Sequence, residues 1–471
     1  MKHSMWVAVA LGLGMSGTAW GQLAVDKLPV DLKAKVDAVA EQVLAQTGVP
    51  SASVAIVRNG AIVYTQAYGD ARLAAGSEPA ERATPEMRYS IGSISKQFTA
   101  AAILLLEQEG KLSIDDPVGR YLPELTRAKE VTIREVLSHT SGYEDYWPED
   151  YLMPPMQKPT TAGHILEVWG KKPLDFDPGT KWQYSNTGYV IAGRIAEMAS
   201  GEPLMQFLQE HVFGPLGMKE VWDSDTTPLP RADAEGYSRY ALGPLRPGPE
   251  EGAGWMSAAG ELAMPAYDLA QWDISLMKRN LLAKKSYDEM FAPVKLKDGS
   301  DSHYGLGIHM RDLDGHVLYE HSGEVEGFTA ENYVFPNDKA AIAVLTNQDA
   351  ARGAALLARA LAPLVVGGTM EGQNPAEVQA RQLLEQFQQG KIDRSSFTPW
   401  CNAYFDEQAL RDYETSLAPL GEPVSVTETA ESLRGGMTFR YFQVIFAGGT
   451  QVHVTTYTMP DGKLEQYLVE E

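Results

Sequence analysis

The sequence predicts an α+β (α/β sandwich) fold: an antiparallel sheet assembled from two distant strand groups, flanked by helices, with a helical insertion between them and a small α+β domain after them. Three observations predict it. Residues 52–58 and 61–68 read as strands on either side of Asn59-Gly60, the dipeptide that best accepts the positive backbone angles of a tight hairpin turn. Residues 317–321, 328–335 and 340–345 read as three more strands, the last two joined by a Pro336-Asn337-Asp338 turn. Between these groups the apolar spacing is helical, over 91–109 (closed by Gly110), 133–137 and 188–199.

Taken from the start, Met1-Lys2-His3 precedes an apolar run over residues 6–20 that is too short to span a bilayer. Ala19-Trp20-Gly21 then places small residues where a signal peptidase cuts, so residues 1–21 are expected to be a signal peptide and the protein to be exported, periplasmic or secreted. No cysteine follows the run, so no lipoprotein anchor is expected, and no stable membrane span remains after cleavage. Leu32, Val36, Val39, Val43 and Leu44 share one helical stripe that stops at Gly48. Residues 350–364 read as a helix after the second strand group, which closes a domain over 22–366. Gly367-Gly368, Gly372 and Pro375 mark a linker over 367–376. In the C-terminal domain, 377–471, residues 377–389 and 407–418 read as helices and 424–468 as an antiparallel meander turning at Gly448-Gly449 and Pro460-Asp461-Gly462.

The chain has 471 residues, 44% of them hydrophobic, with 40 Lys and Arg against 62 Asp and Glu. A net charge of −22 repels nucleic acid and anionic lipid. Cys401 is the sole cysteine, which excludes an internal disulfide and reads as a packing residue. No His-Glu-x-x-His, no paired-cysteine spacing and no Gly-x-Ser-x-Gly occurs, so neither a metal, nor a cofactor, nor a hydrolase elbow of that type is expected. Gly12 to Gly17 matches a dinucleotide fingerprint, but it lies inside the expected leader with no strand before it.

Three short motifs point to chemistry. Ser93-Ile94-Ser95-Lys96 sets a hydroxyl and an amine three residues apart at an expected helix start, within mutual reach, and a neighbouring amine corrects the weak nucleophilicity of a free serine. Ser275-Leu276-Met277-Lys278 repeats the pattern but reads as a surface helix with Leu269, Trp272 and Leu276 buried and Lys278 pointing away. Tyr184-Ser185-Asn186 follows Pro178-Gly179-Thr180 at an expected loop; the phenol can serve as a base if a cation such as Lys96 favours its ionised form, and Asn186 can hold a substrate amide. His321-Ser322-Gly323 falls on a strand bordering the insertion, where glycine lets an acyl group approach the backbone. His139 reads as structural.

Together with Gln97-Phe98-Thr99, Leu137-Ser138-His139-Thr140-Ser141-Gly142, Pro215-Leu216-Gly217-Met218 and Tyr304-Gly305-Leu306-Gly307, these motifs resemble the class C β-lactamase and low-molecular-weight penicillin-binding-protein group, which includes esterases and D-aminopeptidases. The resemblance covers residues 30–365. It implies a β-lactamase/transpeptidase-like sheet and a serine hydrolase working through an acyl-enzyme. By it, Ser93 is the nucleophile, Lys96 its partner and Tyr184 the general base. Asn186, His321, Ser322 and Gly323 bind substrate, and the backbone N–H groups of Ser93 and Glu324 form the oxyanion hole. Members that are efficient β-lactamases carry lysine where this chain has His321; a histidine is only partly charged near neutrality and holds a carboxylate less firmly. The expected substrate is therefore a D-amino-acid peptide or small ester, with a β-lactam as the alternative. A catalytically inactive receptor of the same fold is the alternative of another class. Nothing in the sequence sets the oligomeric state or the role of residues 377–471.

Overall fold

The computed structural model describes residues 23–149, 152–241, 243–366 and 375–470, so the expected leader lies outside the described residues, as does most of the expected linker. The chain divides into two compact units, before and after the 367/368 boundary. Among the described residues no helix is long and apolar enough to cross a membrane.

The first unit is built on a seven-stranded antiparallel sheet. Its strands are β1 (Ser51–Arg58), β2 (Ala61–Arg72), β3 (Glu81–Arg82), β4 (His309–Leu313), β5 (His316–Val325), β6 (Phe328–Phe335) and β7 (Ala340–Thr346). Their order across the sheet is β3-β2-β1-β7-β6-β5-β4, so the two strand groups meet where β1 pairs with β7. The hairpin between β1 and β2 turns on Asn59 and Gly60 with φ of 54° and 70°, the paired positive angles that dipeptide tolerates.

Both faces of the sheet are covered, which is why β1, β6 and β7 are buried along nearly their whole length. On one face, helices α1 (Val30–Thr47) and α5 (Gly353–Val365) pack Val36, Ala40, Leu357 and Leu361 against Val54, Ile56, Ile342 and Val344. On the other, Ala55, Val57, Ala343 and Leu345 meet a larger core that includes α2 (Ser95–Gln108), α3 (Asn186–Ser200) and α4 (Ala266–Lys278). Alternate residues of one strand thus serve two cores.

Two expectations change. The helix expected over 91–109 begins as a 3-10 turn, Gly92–Ile94, and becomes α-helical only at Ser95, so Ser93 sits in the turn and Lys96 in the helix. The strand expected over 317–321 runs on to Val325, and β4 beside it was not anticipated, because a polar edge strand lacks the apolar alternation that marks a strand in sequence. Leu269, Trp272 and Leu276 are buried and Lys278 exposed, as expected, but α4 is more deeply buried than a surface helix, with Asp268, Asp273 and Ser275 enclosed as well.

In the second unit, helices α6 (Pro375–Gln388) and α7 (Glu407–Leu417) accompany a four-stranded meander, β8 (Pro423–Arg434), β9 (Met437–Phe446), β10 (Gln451–Thr458) and β11 (Leu464–Glu470). Helix α6 starts two residues earlier than expected, at a proline that fits a first helical turn. Cys401 is buried in this unit's core beside Phe387 and Phe405, and burial pushes its thiol up to about 11, as suits a packing residue.

Phe98, fully buried on α2, packs against Phe213 and Trp272 with ring centroids 5.5 and 4.7 Å away. Phe98→Ala is expected to cost about 3–5 kcal/mol of stability, read as a fall in the denaturant midpoint of the first unit.

Candidate active site

The site forms where the 3-10 turn bearing Ser93, the N-terminus of α3 and the end of β5 converge. The turn is anchored from behind: Ile91 N–H donates to Leu262 O at 2.9 Å, and Leu262 N–H donates to Ser95 Oγ at 3.1 Å. Strand β5 is pressed against it through two glycines. A methyl group on Gly323 would stand 1.8 Å from Ile91 O and 3.3 Å from Ser93 N, and one on Gly92, whose φ is 50°, would stand 2.6 Å from Glu324 N. The space where a Gly323 side chain would stand is thus filled by the backbone of the Ser93 turn. The glycine's lack of a side chain brings the Ser93 and Glu324 amides together.

Lys96 is fully buried beneath Ser93. Its Nζ lies 2.9 Å from Ser93 Oγ, 2.8 Å from Asn186 Oδ1 and 2.7 Å from Ala259 O. Three acceptors match the three N–H bonds of an ammonium. After loss of a proton, two N–H bonds still reach Asn186 and Ala259 while the lone pair faces the Ser93 hydroxyl. Burial pushes Lys96 down to about 7, against the opposing pull of Asp145 and Glu261.

Asn186 opens α3, capped by Ser185, whose Oγ accepts the Gly188 N–H at 3.3 Å. Both ends of the Asn186 amide are occupied: Oδ1 accepts from Lys96, and Nδ2 donates to Asp145 Oδ2 and Trp147 O, each at 3.3 Å. The Asn186 amide thus links Lys96 to Asp145 while lining the cavity. Tyr184 lies between Lys96 and the cavity, with Nζ 5.0 Å from its ring centroid and its hydroxyl hydrogen-bonded to Ser93. Burial holds this phenol well above its ordinary value, so the resting residue is a phenol, contrary to the ionised form the sequence reading required.

His321 is 3% exposed. Its Nδ1 lies 2.6 Å from Ser322 O, which can only accept, so Nδ1 carries the proton and Nε2 accepts from the Tyr304 hydroxyl at 2.9 Å. Burial, then the nearby Lys96 charge, pushes it down to about 3. The partial charge expected near neutrality is absent, and His321 offers the cavity a neutral ring.

The cavity measures about 690 Å³. Ser93, Tyr184, Asn186, His321, Ser322 and Glu324 all line it, whereas Lys96 stands behind this wall and Gly323 against the Ser93 turn. The sequence reading missed Asp145, whose Oδ1 accepts from the Asn186 and Trp147 backbone N–H groups at 3.0 and 3.1 Å. It missed Tyr304 and the carbonyl of Ala259 as well. Tyr304 lay within a motif already noticed; a backbone carbonyl leaves no mark in sequence.

The D-amino acid amidase from Ochrobactrum anthropi SV3, solved with L-phenylalanine amide, superposes with a TM-score of 0.61 at 25% identity over 71% of this chain and 97% of that one. The octameric penicillin-binding protein homologue from Pyrococcus abyssi shares the fold, with a TM-score of 0.63 at 22% identity over 93% of this chain and 100% of that one. The D-aminopeptidase of Brucella canis is 27% identical over 307 residues, 63% of this chain and 56% of that protein's length. A family model described as Beta-lactamase matches residues 36–365, and the chain belongs to the Beta-lactamase family.

Proposed function

We propose that this protein is a serine hydrolase that cleaves small amides or esters, with D-amino-acid derivatives foremost, through an acyl-enzyme on Ser93. The observation that carries the reading is the 2.9 Å contact between Ser93 Oγ and a fully buried Lys96 whose amine loses its proton near neutrality. The D-aminopeptidase and amidase among the relatives act on substrates of this class by name.

In the first half-reaction Ser93 Oγ attacks the carbonyl carbon while its proton passes to Lys96 Nζ. The oxygen of the tetrahedral intermediate takes up the negative charge between the Ser93 and Glu324 N–H groups. Collapse breaks the bond to the amine or alcohol, which leaves with the proton returned from Lys96 through the Tyr184 hydroxyl. Water then attacks the ester carbonyl, gives its proton to the same pair, and releases the acid and free Ser93.

The lining suits a particular charge of substrate. Asp145, Glu149, Glu324, Glu326 and Asp349 face the cavity, with burial and the adjoining Asp349 pushing Glu326 up to about 8; His309 and His321 are pushed down to about 4 and about 3, and among the described residues the lining includes no lysine or arginine. Such a field favours an amine-bearing acyl donor and opposes the carboxylate of a penicillin or of a peptide C-terminus. We therefore place β-lactams behind D-aminoacyl amides and esters.

Ser93→Ala is expected to lose both fluorophosphonate labelling, read by intact-protein mass spectrometry, and at least about 10³-fold in turnover of a short-chain ester; a labelled mutant would refute the assignment. Because the neutral amine of Lys96 is the active form, kcat/KM should rise with unit slope on the acid side and level off above a pH near 7, the value to which burial brings Lys96. Among matched p-nitroanilides, one with a free D-amino group should exceed its N-succinyl counterpart by at least about tenfold in kcat/KM; equal rates would remove the charge argument and leave the acyl-serine reading standing.

A further inference from the structure

We infer that His139 is a positioning residue that clamps the chain on both sides of Tyr184 and so fixes the phenol relative to Ser93 and Lys96. This rests on the proposal that Ser93, Lys96 and Tyr184 carry acyl transfer.

His139 is 1% exposed and is not part of the cavity lining. Its carbonyl accepts the Gln183 N–H at 2.9 Å, and its Nδ1 accepts the Ser185 N–H at 3.1 Å. The backbone is thereby pinned at the residue before Tyr184 and at the residue after it. Between these two bonds the imidazole lies against the phenol ring, with centroids 4.2 Å apart and planes at 33°. Tyr304 and Tyr189, at 4.8 and 5.3 Å, hold the imidazole in turn.

Two local costs accompany this arrangement. The backbone of His139 has φ of 59°, a left-handed conformation uncommon outside glycine, although histidine adopts it more readily than most residues, as asparagine and aspartate do. Its Nε2 is buried without a hydrogen-bond partner. Because Nδ1 accepts a bond, the proton of the neutral ring resides on Nε2, so a buried N–H goes unsatisfied. An apolar side chain would fill the same volume without that penalty, but it could not accept the Ser185 N–H. Strain and an orphaned donor kept together beside a reactive residue fit a group held for its geometry. Burial, joined by the charge of Lys96 and the neighbouring His321 and His309, holds His139 well below its ordinary value, so the acceptor persists through neutral pH.

His139 touches neither Ser93 nor substrate in this scheme; it acts through Tyr184. Two variants separate its parts. His139→Phe keeps a ring and removes the acceptor. His139→Asn removes the ring but places Oδ1 the same number of bonds from Cα as Nδ1, on a residue that tolerates positive φ. With p-nitrophenyl acetate as probe and the full chain as enzyme, His139→Phe is expected to lower kcat about 100-fold with KM changed less than about twofold, since a misplacement near 1 Å has effects of this size. Ser93 should remain labelled by a fluorophosphonate, more slowly. His139→Asn is expected to restore kcat to within about tenfold of the wild type.

A folded His139→Phe within about threefold of the wild type in kcat overturns the clamp, as does a folded His139→Asn that is as impaired as His139→Phe. Should His139→Phe not fold, His139→Ala takes its place as the variant without the acceptor: a loss of about 100-fold in kcat that His139→Asn restores to within about tenfold supports the clamp, and a folded His139→Ala within about threefold of the wild type overturns it. A wild-type protein whose Ser93 takes no label and which leaves the ester intact brings down the acyl-serine reading and the clamp together. A labelled wild type with an insensitive His139 overturns the clamp alone.

Discussion

The burial of one ammonium group governs the arrangement around it. Taking Lys96 wholly out of water costs more than any single hydrogen bond returns, so the charge must be met by acceptors on every side or the proton must leave. The fold does both. Ser93 Oγ, Asn186 Oδ1 and Ala259 O surround Nζ within 2.9 Å, and the amine titrates near 7 rather than near its ordinary 10.5. The three partners come from a 3-10 turn, the first residue of a helix and an irregular stretch 163 residues along the chain. Each of those segments is held by further bonds, including the Asp145 contacts to Asn186 and the Leu262 contacts to Ile91 and Ser95.

The second constraint is steric. Strand β5 approaches the Ser93 turn so closely that a methyl group on either Gly92 or Gly323 would meet backbone atoms at 2.6 and 1.8 Å. No side chain can relieve such a contact by changing rotamer, because the opposing atoms belong to the main chain. The cavity's chemistry therefore depends on glycine at two positions that take no part in proton transfer. Around this centre the described lining carries carboxyl groups, Glu326 among them pushed up to about 8 by burial, and neutral histidines, with the Ser93 and Glu324 backbone drawn together beside them.

Where the sequence carried strong periodic signals, it was read well. The Asn59-Gly60 hairpin, strand Phe328–Phe335 and the short helix Ile133–Leu137 fall where expected because each bears its own signal: a turn dipeptide, an apolar β-branched and aromatic run, or a helical stripe. Strand β4 and the extension of β5 escaped because an edge strand and a glycine-bearing polar segment are stabilised by pairing with neighbours, not by their own pattern. Glu261 and Asp145 were likewise invisible. A carboxylate is an ordinary surface residue in sequence, and only burial, which pushes Glu261 up to about 8, makes it an exception.

The sequence by itself determined the elements with their own periodicity, the presence of three motifs and the family they resemble, since those depend on residue types a few positions apart. The tertiary structure alone decided the charge states and the contacts. Whether Lys96 carries a proton, whether His321 is an imidazole or an imidazolium, what the Asn186 amide bonds to, and what backbone Gly323 meets all depend on distances between segments up to 232 residues apart in the chain. Desolvation and close packing act through space, and no local pattern of residues records them.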